Sequence, residues 1–209
     1  MNIKRYLVRQ AGNPHGLVGR AEGWLFAYRP SNRRRNTWAV ELLGIRHEDR
    51  VLEIGFGPGR AIEALARRCG HVYGVDRSAV MLRQATRRNS AAIRSGRVTL
   101  TVGSVEELPV GGPFDAVLAV NSLGFWTEPA ARLRELRDVL APGGRIALVS
   151  QPRTPGATRD TTLEAGGRLT AMLEAAGFAR TASHMLEFDP PAVCVIGIND
   201  PPPTRDAAA

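Results

Sequence analysis

The stretch Val51-Leu52-Glu53-Ile54-Gly55-Phe56-Gly57-Pro58-Gly59-Arg60 decides the fold of this 209-residue chain. Val51, Leu52 and Ile54 make a short apolar run, the pattern of a strand covered on both faces. Three alternating glycines follow, and a helical pattern starts at Arg60. Glycine suits such a turn because it tolerates unusual φ/ψ values and lets a ligand approach the bare backbone. A strand, a glycine turn and a helix N-terminus together form a nucleotide-type binding site. A dinucleotide fingerprint reads G-x-G-x-x-G, which puts its third glycine at position 60. Arg60 stands there, the third glycine is Gly59, and the strand carries an acid, Glu53.

Outward from this turn the chain alternates strands and helices. A helix face of Ala61, Ile62, Leu65, Ala66 and Cys69 comes first, then a strand over His71–Val75 and a helix over 78–94. Strands follow at Val98–Val102 and Phe114–Val120, then a helix over 129–141, the turn Pro142-Gly143-Gly144, and a strand over Ile146–Val149. A helix over 160–176 ends at Gly177, and two last strands over 178–188 and 192–198 meet at Asp189-Pro190-Pro191. Such alternation predicts a mostly parallel, doubly wound sheet whose ligand binds beyond the carboxyl ends of the strands.

Upstream, a basic helix over 2–9 and a helix through Leu17, Ala21, Trp24 and Tyr28 are expected, the latter ending at Pro30. Ser31 is placed to cap a third helix carrying Trp38, Leu42 and Ile45. The expected organisation is a helical cap over 1–45, an α/β core over 46–199 and a disordered tail over 200–209.

Composition bounds the function. A 44% apolar and 23% charged chain is globular, and no apolar run approaches the ~20 residues that span a bilayer. Without an apolar leader, a cytoplasmic location is expected. Cys69 and Cys194 read as packing residues, and the four histidines show no metal-ligand spacing. The net charge of +8 is concentrated in residues 1–50, where ten basic residues face four acids. That distribution reads as a solvated basic cap.

Further landmarks sharpen the ligand. Asp76 ends the second strand, 21 residues after Gly55, where a carboxylate can accept both ribose hydroxyls of an adenosine. Arg77 is placed to lie along the adenine. In Gly103-Ser104-Val105-Glu106-Glu107-Leu108-Pro109, the Ser104 hydroxyl and the Val105 N–H are candidates for the adenine edge, and Glu106 and Glu107 for solvated helix-start charges. Asn121 closes the fourth strand. With Leu140-Ala141-Pro142-Gly143-Gly144-Arg145, these landmarks fall in the order of the class I S-adenosylmethionine (SAM)-dependent methyltransferases, in their small-molecule branch. The chain resembles that family over residues 45–198, with Ser104 standing where the family more often has aspartate.

The resemblance implies a Rossmann-like seven-stranded sheet with its last strand antiparallel. It implies SAM as cofactor and S-adenosylhomocysteine (SAH) as product. Glu53, Gly55, Phe56, Gly57 and Gly59 would then approach the amino-acid part of SAM, Asp76 the ribose, Arg77, Ser104 and Val105 the adenine, and Asn121 the methionyl portion. The catalytic residue stays open among His15, Tyr28, His184 and Asp189. Trp126, with Trp24 and Tyr28, and Arg153 are candidates for acceptor contacts. The expected activity is methyl transfer to a small-molecule acceptor by a monomer or homodimer, with no metal. The alternatives are a nucleic-acid methyltransferase, motivated by Arg33-Arg34-Arg35, and a SAM-binding relative that catalyses another reaction such as a cyclisation. Enzymes that methylate nucleic-acid amines usually carry N/D-P-P-Y/F after strand four, where this chain has Asn121-Ser122-Leu123-Gly124. Asp189-Pro190-Pro191-Ala192 lies instead in the final hairpin.

Overall fold

The computed structural model describes residues 30–108, 111–152 and 154–200. The two helices expected within 2–29, the candidates His15, Trp24, Tyr28 and Arg153, and the segment 201–209 lie outside the described residues.

Seven strands form one sheet in the order β3-β2-β1-β4-β5-β7-β6. They are β1 (Arg50–Ile54), β2 (His71–Asp76), β3 (Val98–Val102), β4 (Phe114–Val120), β5 (Leu140–Ser150), β6 (Ala179–Leu186) and β7 (Ala192–Ile198). β1 to β5 pair in parallel, whereas β7 runs antiparallel to both β5 and β6. The order reverses between β1 and β4, so the switch point falls beside the glycine turn.

Each sheet face carries its own core. On one face, α1 (Pro30–Leu42), α2 (Arg60–Leu65) and α3 (Ala79–Arg88) bury Val40, Ile62, Leu65 and Ala85 against Val51 and Val72. On the other, α5 (Pro129–Asp138) and α6 (Arg159–Ala175) bury Leu133, Leu136, Leu169 and Leu173 against Leu52, Val117 and Leu148. The strands are thus covered on both sides, as their continuous apolar runs require.

The inward face of α1 changes character along its length. Residues 32, 35, 39, 40 and 43 recur at helical spacing, and all five are buried. Ala39, Val40 and Leu43 join the core, while Asn32 and Arg35 give the first half a polar inner face. Ser31 lies inside this helix instead of capping it, because the helix already starts at Pro30, whose missing N–H costs nothing in a first turn.

Other boundaries differ locally. The helix expected over 78–94 is two helices, α3 and α4 (Ser90–Arg94), joined at Asn89. The Asn89 side chain competes with the helix by donating to Ala85 O (2.9 Å) and Gly59 O (3.1 Å). The Pro142-Gly143-Gly144 turn is a bulge within β5: pairing jumps from Phe114↔Leu140 to Ala116↔Arg145. Gly143 there has φ 76°, and a Cβ on Gly144 would lie 2.8 Å from Ala141 O. Asp200, where the tail was expected to begin, bonds Arg180 at 2.6 Å.

At the opposite, amino-terminal edge of the strands, Arg145 fastens the α1–β1 connection to the sheet. Its guanidinium donates to Leu43 O (2.6 Å), Gly44 O (2.9 Å), Asp115 O (3.1 Å) and Asp49 Oδ2 (2.6 Å). No described helix is long and apolar enough to cross a membrane.

Candidate functional site at the carboxyl ends of the strands

The glycine turn leaves β1 and enters α2 with Gly55, Gly57 and Gly59 at φ 75°, 52° and 76°. These are left-handed values that favour glycine. Two of the three are also sterically forced: a Cβ on Gly55 would lie 2.6 Å from Ser122 Cβ, and one on Gly59 2.7 Å from Ala85 Cβ. Gly57 faces open space, with nothing within 4 Å of a built Cβ. The turn is therefore open on the Cα side of Gly57, although its N–H is held by Asp76. Phe56 points the other way, buried in the first core, so only its main chain belongs to the turn.

Two carboxylates flank this opening. Asp76, buried at the end of β2, accepts the Ser78 N–H on Oδ1 (2.8 Å) and the Gly57 N–H on Oδ2 (2.8 Å). Burial raises its pKa while those two N–H groups and Arg77 lower it, leaving it above the ordinary value. A carboxylate has about four lone-pair sites, so two directions remain for a ligand's hydroxyls. The next helix is capped by Ser78, whose Oγ accepts the Met81 N–H (3.4 Å).

Glu53 is buried within β1, 2% exposed. Gly59, at the N-cap of α2, has no side chain to offer the helix. Glu53 compensates by accepting the first-turn N–H of Ile62. Its Oε2 has no hydrogen-bond partner among the described residues. Burial and the nearby Asp76 charge push its pKa up to about 8, against the weaker pull of the Ile62 N–H.

The adenine-side candidates divide. Val105 is buried in the second core, leaving its main chain for the site. Ser104 bonds Glu106, and Glu106 Oε1 accepts the Thr127 N–H at 2.8 Å. Glu106 does not start a helix: a turn follows β3, and the carboxylate, through an exposed hydrogen bond, holds a distant loop. Arg77 reaches the same loop, donating from Nη2 to Phe125 O (2.6 Å) with its guanidinium 5.6 Å from the Phe125 ring centroid.

On the far side of the switch point, Asn121 takes a left-handed φ of 52°, and its Oδ1 accepts the Gln151 N–H (2.8 Å). Gln151 accepts from Arg35 Nη1 (2.7 Å) and donates to Pro190 O (2.9 Å). The polar half of α1, the end of β5 and the β6–β7 loop therefore meet here. Asp189 belongs to that loop and is exposed, and His184 is exposed two residues before the end of β6. Trp126 packs against the second core. Sequence reasoning missed Ser122, Asn89, Gln151 and Glu106. Of these, only Asn89 leaves a local trace, as a poor helix former inside a helical pattern.

The buried thiols of Cys69 and Cys194 are pushed up to about 11 and about 12 by desolvation, consistent with packing roles. Among the described residues no group of three His, Cys, Asp or Glu is arranged to hold a metal.

Comparison with known proteins agrees with this geometry. A methyltransferase-domain family matches residues 51–144. An uncharacterized methyltransferase of Bacillus subtilis, YdaC, is 35% identical over 150 residues, which cover 70% of this chain and 81% of that protein. A ubiquinone biosynthesis O-methyltransferase of Xanthomonas axonopodis is 34% identical over 111 residues, covering 52% of this chain but only 45% of that protein. The N-methyltransferase NodS of Bradyrhizobium japonicum, solved with SAH, shares the fold at TM-score 0.66 and 19% identity, over 84% of this chain and 91% of that one. Glycine turn, strand order and sequence kinship together make this chain a member of the class I methyltransferases, enzymes whose cofactor is SAM.

Proposed function

We propose that the protein transfers the SAM methyl group to a small-molecule acceptor bound where α1, the end of β5 and the β6–β7 loop meet. The observation that carries this reading is the fate of the Arg33-Arg34-Arg35 triplet. Arg35 is buried on Gln151, and Arg34 lies 5.2 Å from the Phe188 ring centroid, so the triplet forms no continuous phosphate-binding stripe. The relatedness to ubiquinone O-methyltransferases, and the lack of N/D-P-P-Y/F after β4, support the same class of acceptor.

The residues at the opening suit SAM. Gly57 leaves open space at the turn, Asp76 keeps lone pairs for ribose hydroxyls, and the unpartnered Glu53 Oε2 suits the ammonium group of the amino-acid end. When bound, SAM supplies a methyl group already activated by its sulfonium. The protein's part is to hold the two reactants in line and exclude water. A base is needed only for an acceptor that is a weak nucleophile in its resting state. Asp189, in the loop tied to Gln151, stands at the cleft end for that task, while His184 lies farther back along β6.

The test is incubation with methyl-labelled SAM and a cell extract, followed by separation of small molecules from RNA, DNA and protein. Label in the small-molecule fraction supports the proposal; label confined to nucleic acid overturns it.

A further inference from the structure

The segment 121–128, which follows β4, crosses the carboxyl ends of the sheet, and its anchors lie in, or just after, four different strands. Asn121 N–H donates to Val149 O of β5 (2.8 Å). Ser122 Oγ donates to Ile54 O of β1 (3.0 Å). Phe125 O accepts from Arg77, directly after β2 (2.6 Å). Thr127 N–H donates to Glu106, in the turn after β3 (2.8 Å). Leu123 and Trp126 pack against the core on the face opposite α2. The segment is therefore a strap forming the second wall of the opening, with the glycine turn as the first.

The strap is bracketed by strain. Asn121 and Glu128 are non-glycine residues at φ 52° and 49°, a conformation that persists only where surrounding contacts enforce it. On the β2 and β3 side, those contacts are the Arg77 and Glu106 clasps. Arg77 is exposed and sequence-adjacent to Asp76, and its charge acts on both Asp76 and Glu106. An adenosine seated on Asp76 would lie beside Arg77 and would shield its bond to Phe125 from water. Phe125, 38% exposed beneath that guanidinium, marks the rim of the same opening.

We propose that Arg77 is a positioning residue that couples cofactor occupancy to the order of the strap, and through it to the acceptor end at Asn121 and Gln151. The coupling rests on the SAM reading of the cleft and is reciprocal: whatever orders the strap also tightens the adenosine end. A filled adenosine end therefore favours binding of the acceptor, and a bound acceptor favours the cofactor by the same factor.

Hydrogen exchange on the full chain, with SAH as probe, tests this. The reporters are the Phe125, Trp126 and Thr127 amides, which bond Ser122 O, Leu123 O and Glu106. In the unaltered protein, SAH slows their exchange. In Arg77→Ala their unliganded exchange accelerates about tenfold, and SAH no longer slows it, while the Gly57 amide on Asp76 is still protected. Arg77→Lys, which can still donate to the Phe125 carbonyl, restores part of the SAH-dependent protection. A purely structural role would raise exchange equally with and without SAH. Equal SAH protection of the strap in Arg77→Ala and the unaltered protein overturns the proposal. If the unaltered protein does not bind SAH, the cofactor reading fails separately, and unchanged unliganded exchange in Arg77→Ala then overturns the clasp itself.

Discussion

Replacing Glu53 by Gln tests the electrostatics of the cleft quantitatively. Its carboxyl is buried within β1, one oxygen has no partner among the described residues, and its pKa stands at about 8 against an ordinary 4.5. The folded protein therefore keeps a proton here over a pH range in which the unfolded chain has released it. Stability from this group is full below the ordinary value and falls as pH rises towards 8. Each pH unit in that window is worth up to roughly 1.4 kcal/mol, so the limit across it is about 5 kcal/mol. Gln keeps an acceptor for the Ile62 N–H and removes the titration. Glu53→Gln should gain about 2–4 kcal/mol over the unaltered protein at pH 8 and little at pH 5. For a chain of this size that is roughly 5–15 °C in Tm at pH 8. The assay is thermal unfolding of the ligand-free protein at a series of pH values. A Tm difference that is the same at pH 5 and pH 8 would rule out a raised Glu53 pKa in the folded protein. On the proposed cofactor placement the same group would link to SAH, because the ammonium of its amino-acid end favours the charged carboxylate. SAH affinity should then rise between pH 7 and 8 in the unaltered protein and stay flat in Glu53→Gln, read by calorimetry.

Three further outcomes follow. Asp76→Asn should weaken SAH binding by roughly 10- to 100-fold, the scale of a lost hydrogen bond to a charged group; unchanged calorimetric affinity would sink the ribose assignment. Gly59→Ala should destabilise the fold by about 2–3 kcal/mol, because φ 76° and the 2.7 Å approach to Ala85 both penalise a Cβ, and urea unfolding measures it. Arg145→Met should cost about 2–4 kcal/mol by stranding the mostly buried Asp49, yet leave SAH affinity within about twofold, because the latch lies at the opposite end of the strands; an affinity loss comparable to that of Asp76→Asn would contradict the separation of latch and site.

The strands and the glycine turn were legible because their signals are local. The run at 51–54, the glycine spacing and Asp76 all sit within one βαβ unit, and each residue's job is visible from its neighbours. The antiparallel end of the sheet came from family resemblance, not from periodicity. What escaped were contacts between residues far apart in sequence. Arg35 reads as one of three surface arginines until Gln151, 116 residues away, is seen to receive it. Glu106 reads as a helix-start charge until Thr127 is found on it. Asn89 and Ser122 do their work by closing on the glycine turn, and the Gly55–Ser122 approach exists only because β1 and β4 are neighbours in the sheet.

We propose that SAM lies across the carboxyl ends of β2, β1 and β4, between the glycine turn and the strap. A crystal structure of the full chain with SAH tests it most directly. The expected result is both ribose hydroxyls on the Asp76 carboxylate, the amino-acid end over Gly55–Gly59 beside Glu53, and the adenine between Arg77 and the Ser104–Val105 main chain. SAH bound elsewhere, or ribose hydroxyls turned away from Asp76, would contradict it.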